Sequence, residues 1–266
     1  MTDDAIDEDL YRRIGAELLD TWNAAQGGQF TARRTRGSWT QPQLGSVHAL
    51  TAHVHRLYVP ATRLLDDGWA LEAMPLVRTA YECALTAQWV AQTEDGANAF
   101  VNEDARQRRA LERTVKAGVP ASIRGDGKIP GSDLEPLETT AGGPARNFEQ
   151  LCDDLHPGGA SAYFPYRVLS MYAHATVALV DDYLEPNEDG ELGAMRLDPK
   201  PTASAAWRGL LVSSLVWAGR AVDYFDQDHR RRSQLRAAAR ELGIESVLQL
   251  SPAAGRRQRA ARRAQP

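Results

Sequence analysis

An arginine and a histidine, Arg167 and His174, lie seven positions apart in the stretch "YRVLSMYAHA". An α-helix turns about 100° per residue, so seven residues return almost to the same face, about 10.5 Å further along the axis. Two long polar side chains on one face could converge on a single group, such as an RNA phosphate. The alternative is a histidine whose hydrogen bonds are satisfied inside a helical core, and the spacing leaves both interpretations open.

Further polar residues interrupt the apolar helical patterns. Arg78 and Glu82 are four residues apart in "LVRTAYECALTAQWV", and Tyr166, Ser170 and His174 repeat at the same spacing. Because a buried arginine or carboxylate is costly to desolvate unless it is paired, these residues need partners. We therefore expect Arg78 and Glu82 to face Ser170 and His174, with Glu82 accepting a hydrogen bond from the imidazole. A structural ion pair and one wall of a polar pocket are both compatible with this spacing.

Amphipathic helical patterns, which must position these residues, follow one another along the chain. The predicted helices span residues 4–25, 44–66, 69–93, 97–117, 145–155, 161–184 and 202–228. No segment alternates between apolar and polar residues as a half-buried strand would. The longest interruption, residues 118–144, is rich in proline and glycine. We predict an all-α fold, a helical bundle with a four-helix core and long irregular loops.

Charge divides the chain into two parts, which we predict to be a helical bundle domain over residues 1–228 and a basic C-terminal part over residues 229–266. The second part has ten arginines and two glutamates, which gives it a charge of +8. Since the whole chain has a net charge of −4, the first part has a charge of −12. One more helix is predicted in "RRRSQLRAAARELG". The end "GRRQRAARRAQP" has little apolar content to anchor it, and we predict that it is disordered.

The arginines of this end form a candidate nucleic-acid-binding group. They could contact phosphates without regard to base sequence, in a manner that weakens steeply with salt. A solubilising end without a ligand is the alternative. The arginines concerned are Arg256, Arg257, Arg259, Arg262 and Arg263.

Composition excludes several classes of protein. The 266 residues are 43% apolar, which excludes general disorder, and no apolar run approaches the roughly 20 residues of a membrane helix. The acidic start "MTDDAIDEDL" is unlike a secretory signal, so we expect a cytoplasmic protein without a membrane partner. Cys83 and Cys152 have no metal-type spacing and are expected to be free thiols.

Motifs for cofactor and metal binding are also lacking. The chain contains no phosphate-binding loop, nucleophile elbow or dinucleotide fingerprint, which argues against a kinase-like protein, an α/β-hydrolase and a Rossmann-fold protein. His48, His53 and His55 lie close together in "VHALTAHVHRL", but no carboxylate completes a spaced metal triad within the segment. We expect neither a metal nor a cofactor.

Two motifs carry a resemblance to known families. The combination of "RTAYE", residues 78–82, with "LSMYAHA", residues 169–175, resembles a group of uncharacterised bacterial all-helical proteins with Arg-x-x-x-Glu and Leu-Ser-x-x-x-His patterns. This resemblance covers about residues 45–225. The Arg-x6-His element also resembles the HEPN superfamily, helical bundles in which such a pair lines a cleft, commonly at a dimer interface, and often cleaves RNA without metal.

The HEPN resemblance implies a role for each member of the pair. Arg167 would hold the scissile phosphate and its developing negative charge, and His174 would exchange a proton with the 2′-hydroxyl or the leaving oxygen. The implied protein is a homodimeric, metal-independent endoribonuclease that acts on RNA or nucleotides in a toxin or phage-defence setting, with a possible protein partner encoded nearby.

A second hypothesis is a non-catalytic binding or scaffold module. In that case Arg78, Glu82, Ser170 and His174 form a buried polar network that specifies how the helices pack. Replacing Glu82 by alanine would then leave Arg78 unpaired in the core, at a cost of about 3 kcal/mol.

Overall fold

The computed structural model describes residues 8–25, 40–200, 204–226 and 228–264, and regular structure in these ranges is almost entirely α-helical. The helices are α1 (Glu8–Ala25), α2 (Gln41–Asp66), α3 (Ala70–Gln92), α4 (Gly96–Gly118), α5 (Ala121–Arg124), α6 (Gly142–Arg146), α7 (Phe148–Asp153), α8 (Ala160–Ala173), α9 (Val177–Asp181), α10 (Ser204–Asp223), α11 (Arg232–Glu241) and α12 (Pro252–Ala264). The predicted all-α helical bundle is confirmed.

Four short strands form two antiparallel pairs within the same ranges. They are β1 (Leu155–His156) with β4 (Gln249–Leu250), and β2 (Leu184–Pro186) with β3 (Leu192–Met195). The first pair joins a segment before α8 to the segment that precedes α12. These short pairs therefore connect distant parts of the chain without forming a larger sheet in the described ranges.

Helices α2, α3 and α10 pack against one another and form the centre of the bundle. Val54, Val77 and Leu215, one from each helix, are fully buried in one apolar cluster. Helix α1 packs on α10, and α8 packs on α3 through the buried Leu169. None of the helices in the described ranges combines the length and the apolar character needed to cross a bilayer.

The helix predicted over residues 161–184 is interrupted, so that prediction was wrong at its centre. Helix α8 ends at Ala173, and His174 has extended backbone angles, φ −129° and ψ 163°. The Thr176 hydroxyl accepts a hydrogen bond from the Leu179 amide at 3.4 Å, which caps the start of α9. A threonine that can satisfy a free amide in this way favours a new helix start over continuation of the old helix.

The proline-rich segment between α4 and α7 contains the short helices α5 and α6. Residues 128–141, here called the α4 strap, lie along α4 and are held by hydrogen bonds from its side chains. Asn102 donates to the Leu137 carbonyl at 2.7 Å and accepts from the Leu137 amide at 2.8 Å. Asn98 donates to the Glu138 carbonyl at 3.0 Å, and Arg108 donates to the Pro130 carbonyl at 2.8 Å. This part of the predicted irregular loop is thus fixed to the bundle.

The C-terminal end forms helix α12 where the sequence predicts a disordered tail. Ala254 is buried, and the Arg257 guanidinium forms an ion pair with the buried Asp154. The Asp154 carboxylate also accepts a hydrogen bond from Trp89 Nε1 at 3.2 Å. Helix α12 is therefore anchored to the bundle by one ion pair, one small buried side chain and the β1–β4 pairing. These contacts replace the apolar residues whose absence suggested disorder.

Both cysteines are free, as the sequence predicts. Cys83 is half-buried and Cys152 is buried. Burial raises the pKa of each thiol to about 12, because the thiolate would lose its hydration. Neither cysteine therefore resembles an activated nucleophile.

Candidate functional site

Arg78 joins α3 to α8 through the polar ladder predicted on α8. Its Nε donates to Ser170 Oγ at 2.9 Å, and its Nη2 donates to the Tyr166 hydroxyl at 2.8 Å. The guanidinium carbon also lies 4.6 Å from the centroid of the Tyr166 ring. The Ser170 hydroxyl in turn donates to the Tyr166 carbonyl at 2.7 Å. Three of the predicted network residues therefore meet in one set of contacts.

Glu82 is attached to this network more loosely. The Arg78 Nη2 and Glu82 Oε2 atoms are 3.4 Å apart, and the two side chains are 20% and 37% exposed. Burial raises the pKa of Glu82, and the nearby Arg78 charge only partly offsets this effect. The structure does not form the hydrogen bond predicted between Glu82 and His174. The helical register that was to bring them together ends at Ala173.

Arg167 and His174 are both exposed to solvent. Arg167 lies on α8 with its guanidinium carbon 6.0 Å from the centroid of the Tyr163 ring. His174 is the first residue after α8, and its extended backbone removes it from the helical geometry from which a shared face was inferred. Among the described residues, no hydrogen bond joins these two side chains. The arrangement presents a cation and a titratable ring separately to solvent.

Aromatic rings connect the Arg78 network with Arg167. Tyr163 and Tyr166 stack with centroids 5.7 Å apart, and Phe148 packs on Tyr166 at 4.4 Å. Phe164 on the outer face of α8 is 68% exposed. Sequence spacing indicated Tyr166 but not the other rings, although Tyr163 lies four residues before Arg167 and therefore on the same face. Such rings can stack on planar ligands.

The three histidines of α2 have different surroundings. His48 and His55 face Trp22, with ring centroids 5.8 Å and 4.2 Å away, whereas His53 is exposed. His55 Nδ1 donates to the Thr51 carbonyl at 2.8 Å, and burial lowers the pKa of His55 to about 3. The described residues contain no group of three potential metal ligands.

The arginines near the C-terminus lie on α12. Arg256, Arg257, Arg259 and Arg263 are exposed, and Arg257 also pairs with Asp154. The side chain of Arg262 lies outside the described residues. A helix therefore displays the cationic residues that were predicted on a disordered tail.

A second charged cluster was missed in the sequence. Arg220 and Asp223 are buried near the C-terminal end of α10 and contact one another and Arg232. The signal for it was an arginine three residues before an aspartate, within an otherwise apolar helix. The described part of the bundle thus carries polar groups on α8 and at the junction of α10 and α11, and a further buried arginine, Arg208 on α10, pairs with Glu8 and Asp66.

Comparisons with known proteins identify the family alone. No curated protein and no solved structure matches the chain. A family model described as a family of unknown function, DUF5677, matches residues 46–192. The match runs from α2 to the start of β3 and includes the Arg78 network, Arg167 and His174. Because more than half of the chain is matched, the protein belongs to DUF5677, a family whose function is unknown.

Proposed function

We propose that the solvent-exposed face of α8 and the residues that follow it form a site for RNA or nucleotides, and that the protein is a metal-independent endoribonuclease. The observation that carries this proposal is the exposure of both Arg167 and His174, together with the position of Arg167 near the Tyr163 ring and the exposure of Phe164 on the same helix. Phosphate binding by arginine and base stacking on aromatic rings are the two contacts that single-stranded RNA recognition uses most.

The roles of the pair follow from their chemistry and from the resemblance of Arg-x6-His to the HEPN superfamily. Arg167 is always charged and can donate two hydrogen bonds to one phosphate. His174 is open to solvent and can take a proton from the 2′-hydroxyl or give one to the leaving oxygen. Because His174 is not held by the helix, bound substrate would have to bring the two side chains together.

Helix α12 would assist binding. Arg256, Arg259 and Arg263 are exposed on it and can contact the RNA backbone without base specificity. Helix α12 remains tied to the bundle through Arg257 and Asp154. The proposed site therefore combines a local pair on α8 with a cationic helix, in a cytoplasmic toxin or phage-defence protein.

A homodimer is part of the same proposal. Exposed apolar side chains lie in the same stretch of chain as Arg167 and His174, namely Phe164, Met171, Val177 and Val180. Covering such side chains favours association, and a second copy would supply a matching apolar face. Light scattering on the purified protein should give twice the chain mass, and Val177→Asp should return it to the monomer mass. A stable monomer would instead favour a protein partner encoded nearby.

An RNA cleavage assay tests the proposed activity. Purified protein should cut a single-stranded RNA in the presence of a metal chelator, and both Arg167→Ala and His174→Ala should reduce the rate by at least about 100-fold. Arg113→Ala and His53→Ala are matched controls, because both residues are exposed elsewhere on the bundle. The proposal is overturned if RNA stays intact with the wild type, or if the four variants cut it equally well.

A second candidate function is a non-catalytic scaffold module. It is favoured by the way Arg78 is satisfied within the protein, by Ser170, Tyr166 and Glu82. An arginine so paired fixes the position of α8 on α3 and has less capacity left for a ligand. On this reading Arg78→Ala lowers the melting temperature, while RNA binding and cleavage are absent in the wild type.

A further inference from the structure

The junction between α10 and α11 holds a buried carboxylate shared by two arginines. Asp223 is 3% exposed, and its Oδ2 atom forms a hydrogen bond with Arg220 Nη1 and accepts from Arg232 Nε at 2.8 Å. Arg220 is itself 6% exposed. One negative charge therefore faces two guanidinium groups in a region largely closed to water.

Nearby charges increase the positive excess. Arg231 lies within electrostatic range of Asp223, and Arg236 lies within range of Arg220. Of the neighbouring acids, Asp228 pairs with the exposed Arg230, and Asp226 accepts hydrogen bonds from the backbone amides of Asp228 and Arg230. Burial lowers the pKa of Arg220, Asp223 opposes this effect, and the charges of Arg232 and Arg236 add to it. Buried charges in proteins are normally paired with charges of the opposite sign. Because the arginines of this cluster outnumber its buried carboxylate, the cluster lacks an anion.

Some hydrogen-bonding atoms are also left over. Arg220 Nε, Arg231 Nε and Asp223 Oδ1 are buried and have no hydrogen-bond partner among the described residues. The first two atoms are donors and the third is an acceptor. Asp223 Oδ1 does lie 3.5 Å from His229 Nδ1, and Arg231 Nη2 donates to the Leu18 carbonyl at 3.0 Å. Buried polar atoms are rarely left without a partner. A ligand that carries acceptor oxygens together with a hydroxyl donor would satisfy both kinds.

His229 gives this cluster a strained entrance. Its φ is 49°, and no other non-glycine residue in the described ranges has a positive φ. Its Nδ1 donates to the Asp223 carbonyl at 2.9 Å, and Arg232 Nη2 lies against the imidazole, 2.7 Å from Nδ1 and 2.9 Å from Nε2. Residues held in this region of backbone space are often found at ligand sites. The side chains of His229 and Arg232 are 24% and 34% exposed, so the cluster is open to solvent there.

We propose that Arg220 and Arg232 bind the phosphate group of a ribose phosphate at this junction, with Asp223 as a positioning residue that holds both guanidinium groups. The phosphate supplies the missing negative charge and accepts from the free donors, and a ribose hydroxyl can donate to Asp223 Oδ1. The ligand class is a mononucleotide or a phosphorylated end of RNA. This site uses none of the residues of the pair on α8 and does not depend on the activity proposed there.

Isothermal titration calorimetry at constant ionic strength tests the site with three probes, namely inorganic phosphate, ribose 5-phosphate and adenosine monophosphate. Ribose 5-phosphate should bind more tightly than inorganic phosphate. Similar affinity for the mononucleotide indicates that the sugar phosphate alone is recognised, and tighter binding indicates that the base contributes as well. An RNA oligonucleotide with and without a 5′-phosphate then separates the two sources of the group.

Variants assign the binding to the cluster. Arg232→Gln should weaken ribose 5-phosphate binding at least about tenfold, and Arg220→Gln should do the same if it folds. Arg230→Gln is the matched control, since that arginine is exposed and paired with Asp228, and His53→Ala, at an exposed residue of α2, should also bind as the wild type does. The proposal is overturned if no probe binds to the wild type, or if Arg232→Gln binds as tightly as Arg230→Gln.

Discussion

Arg78 Nε and Ser170 Oγ are 2.9 Å apart and form a direct hydrogen bond between α3 and α8. Both residues lie within the matched family region, although 92 residues separate them in the chain. Since the same guanidinium also binds Tyr166, a single side chain holds α8 at two successive turns.

Replacing Arg78 by alanine should cost about 2 to 3 kcal/mol of unfolding free energy, because two hydrogen bonds and the packing on Tyr166 are lost. Ser170→Ala should cost about 1 kcal/mol. The double variant should show a coupling of at least about 0.5 kcal/mol in urea unfolding. Strict additivity of the two changes would contradict a direct contact.

Glu82→Ala should cost less than about 1 kcal/mol, rather than the 3 kcal/mol that the sequence suggested. Glu82 is 37% exposed and Arg78 keeps two other hydrogen-bond acceptors, so the arginine is not left unpaired. The same urea titration measures this. A loss as large as that of Arg78→Ala would mean that Glu82 is the principal partner.

Stability should fall in acid because of His55. Its pKa is about 3 in the folded protein and its ordinary value is 6.5, so the unfolded chain binds a proton that the folded chain excludes. The contribution of this group is complete above pH 6.5 and is lost as the pH falls from 6.5 towards 3, by up to about 1.4 kcal/mol per pH unit.

Urea unfolding of His55→Gln across that range should give a slope of stability against pH that is smaller by about one proton. His53→Gln provides the control, because His53 is exposed on the same helix and should leave the slope unchanged. An unchanged slope for His55→Gln would show that the buried ring is not the group responsible.

Arg257→Ala should loosen α12 while the bundle stays folded. The pair with Asp154 is partly exposed, so its loss should cost at most about 1 kcal/mol, and amide hydrogen exchange over residues 252–264 should become several-fold faster. Arg256→Ala should exchange like the wild type. Equal protection in both variants would locate the anchor in the β1–β4 pairing instead.

Exposed arginines of α12 should make RNA binding sensitive to salt. Each phosphate contact contributes about 0.7 to the slope of log affinity against log salt for single strands. The triple variant of Arg256, Arg259 and Arg263 to glutamine should therefore lower the slope by up to about 2, as measured by filter binding. A slope that is unaffected would remove α12 from the proposed RNA contact.

The long helices could be predicted because their apolar residues recur with the helical period. The break at His174 could not be predicted in the same way, because residues 161–184 keep a helical pattern across it. Its signal was Thr176, a capping residue inside that pattern. The β1–β4 pair is two residues long on each side, too short for an alternating pattern to be recognised.

Part of the candidate site could also be predicted from helical spacing. Residue spacing placed Tyr166 and Ser170 on one face of α8, and desolvation cost indicated that Arg78 needed partners there. His174 was placed by extending an ideal helix beyond its end. The cluster around Asp223 depends on Arg232, which lies nine residues further along and in another helix, so local spacing could not bring them together.

Helix α4 binds the α4 strap largely through backbone carbonyl and amide groups, which nearly every amino acid has. Asn98, Asn102 and Arg108 bind its peptide carbonyls, and Asn102 also binds the amide of residue 137. Apart from Ser132 and Thr140, whose hydroxyls donate to Glu112 and Asp95, side chains along the strap can therefore diverge during evolution while its path is kept, with proline excluded at position 137, where an amide hydrogen is required. Among relatives, the asparagines on α4 should change more slowly than the stretch they hold, which leaves that stretch free to acquire new surface chemistry.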